Sequence, residues 1–304
     1  MAINLQTFLN SRLSIALGVT LSKIPTPAGY RIAYWLADFL ASRKSNHMAR
    51  ALRANQWVVH DERPNAQELD YLTKQAYRSA ARSLYEFWHF FRNNRAVYDM
   101  VEFDDSFTSV IEQAQREKRG TLMVVPHLSN FDLVGRSAVL HGIPLHVLSY
   151  PQPPGGYRWQ NALRQLPGLT VTPLSVEAIR QASATLRAGG LVVTGIDRPL
   201  PDPDRKYRVR FFGRAAALPV FHIRLALKHD LPIVVTGGCR KENGRYIVWA
   251  SSPIQMKRSN DLIQEIVQNA EAVLDVLSQF IRRAPDQWAM FYPVWPEALA
   301  QMPI

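Results

Sequence analysis

One stretch limits the folds open to this chain more than any other. Residues 121–125, Thr-Leu-Met-Val-Val, form a short run of apolar and β-favouring side chains, the mark of a buried strand. Pro126 ends the run, and Ser129 or Asn130 can cap the helix that Phe131-Asp132-Leu133-Val134 begins. A buried strand passing directly into a helix is the repeating unit of a mostly parallel α/β fold. It also sets His127 at the carboxyl end of a strand and Asp132 in the first turn of a helix. Open α/β sheets bind ligands at that edge. If the turn folds the two side chains together, Asp132 accepts a hydrogen bond from one imidazole nitrogen and leaves the other as a base. The same residues also suit a plain strand-end histidine and a helix-start acid favoured by the dipole.

From Met100 onward the strand–helix pattern repeats. Helix 106–118 precedes the strand 121–125, and helix 130–141 leads to a strand at 144–150. A Pro/Gly loop and a helix at 157–166 follow, then strand 169–173, helix 175–188 and strand 190–196, with Gly189-Gly190 as the helix stop. Asp197 to Gly213 reads as a long charged loop, of a length that is often functional. Asp197 and Arg198 stand just after a strand, as His127 does, and so should line the same cleft. Helix 216–229, strand 231–236, a hairpin partner at 245–251 and helix 260–283 complete the set. The expectation is an α/β fold with a mostly parallel central sheet flanked by helices, at 100–304.

Residues 1–99 read as helical. Two amphipathic segments, 5–22 and 29–43, are broken at Pro25-Thr26-Pro27, and a long helix runs over 66–92. The first two carry sparse basic and almost no acidic residues, a pattern that can lie in a membrane interface or bury against the core. The aromatics Tyr85, Phe87, Trp88, Phe90 and Phe91 at the end of the long helix are read as core.

Charge narrows the partners. The net charge is +11, carried by 28 arginines against 8 lysines. Arginine makes two-point contacts to phosphate and carboxylate, which suits a phosphorylated substrate, an anionic membrane or nucleic acid. The single cysteine, Cys239, excludes an internal disulfide. No apolar run reaches the roughly 18 residues of a spanning helix. There is no G-x-S-x-G, P-loop, G-x-G-x-x-G or metal-ligand spacing. The spacing of Arg158, Asn161 and Arg164 places them on one helical face, with Arg164 expected to hold an anionic group of a substrate and not a structural carboxylate.

At this point the chain resembles the HxxxxD acyltransferase superfamily. The likeness is nearest to bacterial lipid A late acyltransferases and phosphatidylinositol mannoside acyltransferases. His127-Leu-Ser-Asn-Phe-Asp132 is the H-x-x-x-x-D block. Asn161-Ala-Leu-Arg164, Val192 to Arg198, Phe211-Phe212-Gly213 and Pro285-Asp-Gln-Trp288 match further blocks. Arg198 stands where the lipid A enzymes usually carry Gln, and the ending Phe291-Tyr-Pro-Val-Trp295 is nearer the mannoside enzymes. The resemblance implies transfer of a fatty acyl group from acyl-CoA or acyl carrier protein to a hydroxyl of a membrane (glyco)lipid. It implies His127 as general base and Asp132 as its orienting carboxylate. Substrate contacts would come from Arg158, Asn161, Arg164, Asp197, Arg198, Phe212 and Gly213. No metal or other cofactor and no nucleic acid is implied. The expected location is peripheral, on the cytoplasmic face of the inner membrane, against its anionic surface. Glycerol-phosphate or lysophosphatidate acylation, or a non-enzymatic basic membrane-binding protein, are the competing expectations.

Overall fold

The computed structural model describes residues 22–151, 164–199 and 207–304, together with Gly18 and Thr20. Arg158 and Asn161 lie outside the described residues, as do most of the first amphipathic segment and of the 157–166 helix.

Four helices come first: α1 (Thr26–Ala41), α2 (His47–Val59), α3 (Ala66–Phe90) and α4 (Asn94–Met100). Pro25-Thr26-Pro27 starts α1 after the non-helical stretch 22–25, the break expected there, because a proline in the first turn lacks only an N–H that has no partner there. The side chain of Asn65 accepts from the amides of Gln67 and Glu68 while Glu68 reaches back to the Asn65 amide, a capping box that fixes the start of α3. Then come β1 (Val101–Phe103), α5 (Asp105–Glu117), β2 (Thr121–Val125), α6 (Phe131–Leu140), β3 (Leu145–Ser149) and β4 (Leu169–Pro173). They are followed by α7 (Val176–Arg187), β5 (Leu191–Gly195), β6 (Val209–Phe211), β7 (Arg214–Ala216) and α8 (Phe221–His229). The chain closes with β8 (Ile233–Arg240), β9 (Tyr246–Ala250), α9 (Leu262–Arg282) and α10 (Ala298–Gln301).

Seven strands form one sheet in the order β1-β9-β8-β2-β5-β3-β4. β8, β2, β5, β3 and β4 run parallel, and β9 turns back antiparallel to β8. The α/β expectation with a mostly parallel sheet is what the structure shows. Side-chain alternation feeds two cores. Leu122, Val124, Ile233 and Val235 point to one face, where Ile266, Leu274 and Leu277 of α9 cover them. Met123, Leu145, Val171 and Val234 point to the other, beneath Phe107 and Ile111 of α5 and Ala138 of α6. A sheet covered on both faces needs apolar side chains at odd and even positions alike, which is why these strands read as continuous runs.

Several elements differ from the sequence expectation. β1 and α4 were not anticipated, because three strand residues and seven helical ones are too short for a periodic signal. The end of the loop at 197–213 forms a short hairpin, β6–β7, with the residues that follow it, and the turn residues Phe212 and Gly213 both have positive φ (49° and 76°), as a tight two-residue hairpin requires. α8 begins at Phe221, since Pro219 precedes it.

Candidate active site

β2 and β5 lie side by side with Val125 opposite Gly195. Two residues further on, the same register brings His127 opposite Asp197. The Asp197 carboxylate accepts the backbone N–H of His127 on Oδ2 at 2.7 Å, and its Oδ1 lies 2.6 Å from His127 Nδ1. Trp288 Nε1 also donates to Asp197 Oδ2, at 2.7 Å. Asp197 is fully buried. Burial alone would raise its pKa, but the facing His127 and the hydrogen bonds from His127 and Trp288 reverse that and hold the carboxyl below the usual range. In the neutral imidazole, an ionised Asp197 favours the tautomer with the proton on Nδ1, which turns Nε2 into the acceptor.

This corrects one expectation. The carboxylate that meets His127 is Asp197, not Asp132. The turn between them is the cause. Ser129 is left-handed, with φ of 56°, and its amide donates to the Gln287 carbonyl at 2.8 Å. Leu128 forms a β-bridge to Trp288. The Asn130 side chain caps α6 by accepting from the Leu133 amide and donates to the Ser83 carbonyl. The first turn of α6 thus carries the Asp132 carboxylate away from His127 Nδ1, and it meets Arg164 instead. Arg164 grips it at two points, Nε to Oδ1 at 2.6 Å and one terminal nitrogen to Oδ2 at 2.9 Å. The expectation that Arg164 holds no structural carboxylate is therefore also corrected: its fork is closed on Asp132, and the residue is buried.

His127 stands at the mouth of an apolar cleft of ≈ 190 Å³ between α6 and the sheet. Asp132, Arg164 and Arg198 line it together with the apolar side chains of Val125, Val147 and Val193. The imidazole lies edge-on to Phe131 at 5.4 Å and crosses the end of β5, where only glycine leaves room: a Cβ on Gly195 would come within 2.8 Å of His127 Cε1. The Arg198 guanidinium is sandwiched between the rings of Tyr150 and Tyr292, 3.9 Å from each centroid. Phe212 and Gly213 do not reach the cleft. Phe211 stacks on Trp295 at 5.5 Å, and Phe212 lies 6.4 Å from Trp288, so the hairpin backs the tryptophan that holds Asp197.

Sequence reasoning gave Trp288 no role at the site. Its signal was the Pro285-Asp-Gln-Trp288 block, whose indole has one donor to satisfy when buried. Among the described residues no cluster of His, Cys, Asp and Glu could hold a metal ion.

No curated protein matches the chain. The sequence pattern of the bacterial lipid A biosynthesis acyltransferases, by contrast, matches residues 4–297. With a strand-end histidine, a buried partner carboxylate and an apolar cleft in place, the chain belongs to the bacterial lipid A biosynthesis acyltransferase family.

Proposed function

We propose that this acyltransferase moves a fatty acyl group from an acyl thioester to a hydroxyl of a membrane glycolipid, with His127 as the general base. The observation that carries the reading is the Trp288–Asp197–His127 chain of hydrogen bonds at the mouth of an apolar cleft. Nε2 of His127 takes the proton of the acceptor hydroxyl as its oxygen attacks the thioester carbon. The tetrahedral oxyanion collapses, the carbon–sulfur bond breaks, and the thiolate recovers the proton from the imidazolium. Asp197 holds the tautomer and stabilises the imidazolium, the part a carboxylate plays in other triads. The positive end of the α6 dipole lies beside the developing oxyanion. The Asp132–Arg164 pair holds the start of α6 against the cleft mouth. Arg198, kept flat by two tyrosines, presents its charge to an anionic group of donor or acceptor. The donor is acyl-CoA or acyl carrier protein.

The surface supports work at a membrane. Among the described residues no helix is long and apolar enough to cross one. Ile32, Trp35, Leu36 and Phe39 are nevertheless exposed along α1 at helical spacing, with Trp35 at 69%. Arg43 stacks over Phe39 at 4.7 Å. In this reading α1 lies in the interface of an anionic bilayer, peripherally, on the cytoplasmic face of the inner membrane.

The test is direct. Purified protein is incubated with labelled acyl-CoA or acyl carrier protein and a panel of glycolipids, lysolipids and glycerol phosphate. His127→Ala should lower transfer by about 10²–10⁴-fold, the usual worth of a general base, with unchanged circular dichroism. Near-full turnover in that variant would remove the mechanism, and transfer to glycerol phosphate alone would replace the acceptor class.

A further inference from the structure

Helix α6 carries a glycine at its middle, Gly135. That costs roughly 1 kcal/mol of helix stability relative to alanine, and a helical glycine usually has a close neighbour that needs the room. Gly29 in α1 is such a case, because a Cβ there would enter the Tyr85 ring. Gly135 has no such neighbour: a Cβ built on it meets nothing within 4 Å. The open space beside it is the apolar cleft, which Gly135 lines together with Phe131, Val134 and Ala138 of the same helix. Those four positions, at spacings of three and four residues, form one stripe running inward from His127.

We propose that Gly135 sets the length of straight acyl chain that the cleft admits. The inference rests on the acyl-transfer reading and adds the residue that decides chain length. From Phe131 to Ala138 the stripe extends about 10 Å at ~1.5 Å per residue. Opposite it, Ser149 to Leu145 on β3 covers about 13 Å at ~3.3 Å per residue. Both ends of both spans line the cleft. Bond lengths near 1.5 Å and tetrahedral angles advance an extended hydrocarbon roughly 1.25 Å per carbon, so the cleft takes on the order of ten carbons. Gly135 lies about halfway down. A side chain there takes up the open space beside Gly135 and shortens the bore, while His127 keeps its place.

Binding is measured first, because it does not require turnover. A fluorescent fatty-acid probe is displaced by straight-chain fatty acids of increasing length, with the full chain and with Gly135→Leu and Gly135→Met. For the unaltered chain, affinity should rise with length to on the order of ten carbons and then level off. In both variants it should level off several carbons earlier. Acids longer than that should lose roughly 10-fold or more, the worth of a methylene or two in an apolar pocket, while the shorter acids keep their affinity. Transfer from the matching acyl thioesters should show the same shift. If Gly135→Leu fails to fold, Gly135→Ala, which improves helix propensity, carries the test with a shift of about one carbon. A length profile identical to that of the unaltered chain, or an equal loss for short and long acids, overturns the role of Gly135. A shifted binding profile without transfer from any donor supports the role of Gly135 and overturns the acyl-transfer reading.

Discussion

Asp132 and Asp197 are both carboxylates near His127, yet they answer to different partners. Asp197 is buried and shares its oxygens among the His127 ring, the His127 amide and the Trp288 indole. Asp132 is tied to Arg164. Their substitutions should therefore fail in different ways. Asp197→Asn should lower kcat by about 10²–10⁴-fold and alter the pH profile, because an amide cannot stabilise the imidazolium. Asp132→Asn should leave the profile in place and destabilise the fold by about 1–3 kcal/mol, the worth of a charge-assisted hydrogen bond in a part-buried place. Pairing it with Arg164→Gln should cost little more than either change alone, and Arg164→Lys should not restore what Arg164→Ala loses. A pH profile displaced by the Asp132 change and untouched by the Asp197 change would reverse the assignment. Asp197 also has a stability signature. Its folded pKa is depressed, so its contribution is complete above the unfolded value near 3.9. It is lost as pH falls below that value towards the folded one. Acid unfolding should begin there, and in Asp197→Asn the midpoint should lose part of this dependence.

At the scale of elements, α1 has two faces with separate tasks. Its inner face buries Ala33 and Ala37 and places the Tyr30 hydroxyl 2.6 Å from Glu86 of α3. Glu86 is itself fully buried, and it also accepts from Arg240 of β8 at 3.0 Å and from Tyr246 of β9. Burial and the Glu86 charge push the Tyr246 phenol well above its ordinary value, so it stays a donor. Removing the carboxylate strands a half-buried guanidinium. Glu86→Ala should accordingly cost about 3–5 kcal/mol, read as a lower midpoint in urea unfolding. The outer face carries Trp35 and Phe39, which touch little of the protein. Trp35→Ser with Phe39→Ser should leave thermal unfolding nearly unchanged. The same pair should weaken sedimentation with anionic vesicles by at least about tenfold, since each ring carries about 1.5–3 kcal/mol of apolar burial. Retained vesicle binding would move the membrane contact off α1.

Taken whole, the molecule was readable in one dimension and less so in two. The strands expected at 121–125, 169–173 and 190–196 announce themselves as short apolar runs, because both faces of the sheet are covered. His127 and Asp197 were each legible as strand-end residues. Their meeting was not, because strand order is not written locally: nothing near residue 195 says that β5 lies beside β2. Trp288 was hidden for the same reason, since its partner lies 91 residues away. The hairpin at Phe212-Gly213 escaped notice because three-residue strands carry no period. α2 is fastened by Asn55 to the carbonyls of Met290 and Tyr292 and by Gln56 to those of Pro285 and Trp288, contacts that only a finished chain can make.

The place of β5 in the sheet has a bearing on how the chain reaches this state. Synthesis lays down β2, then β3 and β4, yet β5 pairs with both β2 and β3 and so enters between strands already made. His127 and Asp197 can meet only once that insertion is complete, and the bond between them spans 70 residues. Parallel pairings of such separation form slowly, because the intervening loop must be closed before any contact rewards it. Helical signal should therefore return early during refolding from urea, and catalytic competence should return later, in step with protection of the β5 amides from hydrogen exchange. A chain trapped short of that step would hold most of its helices and none of its chemistry, so the active site reports whether β5 has found its place.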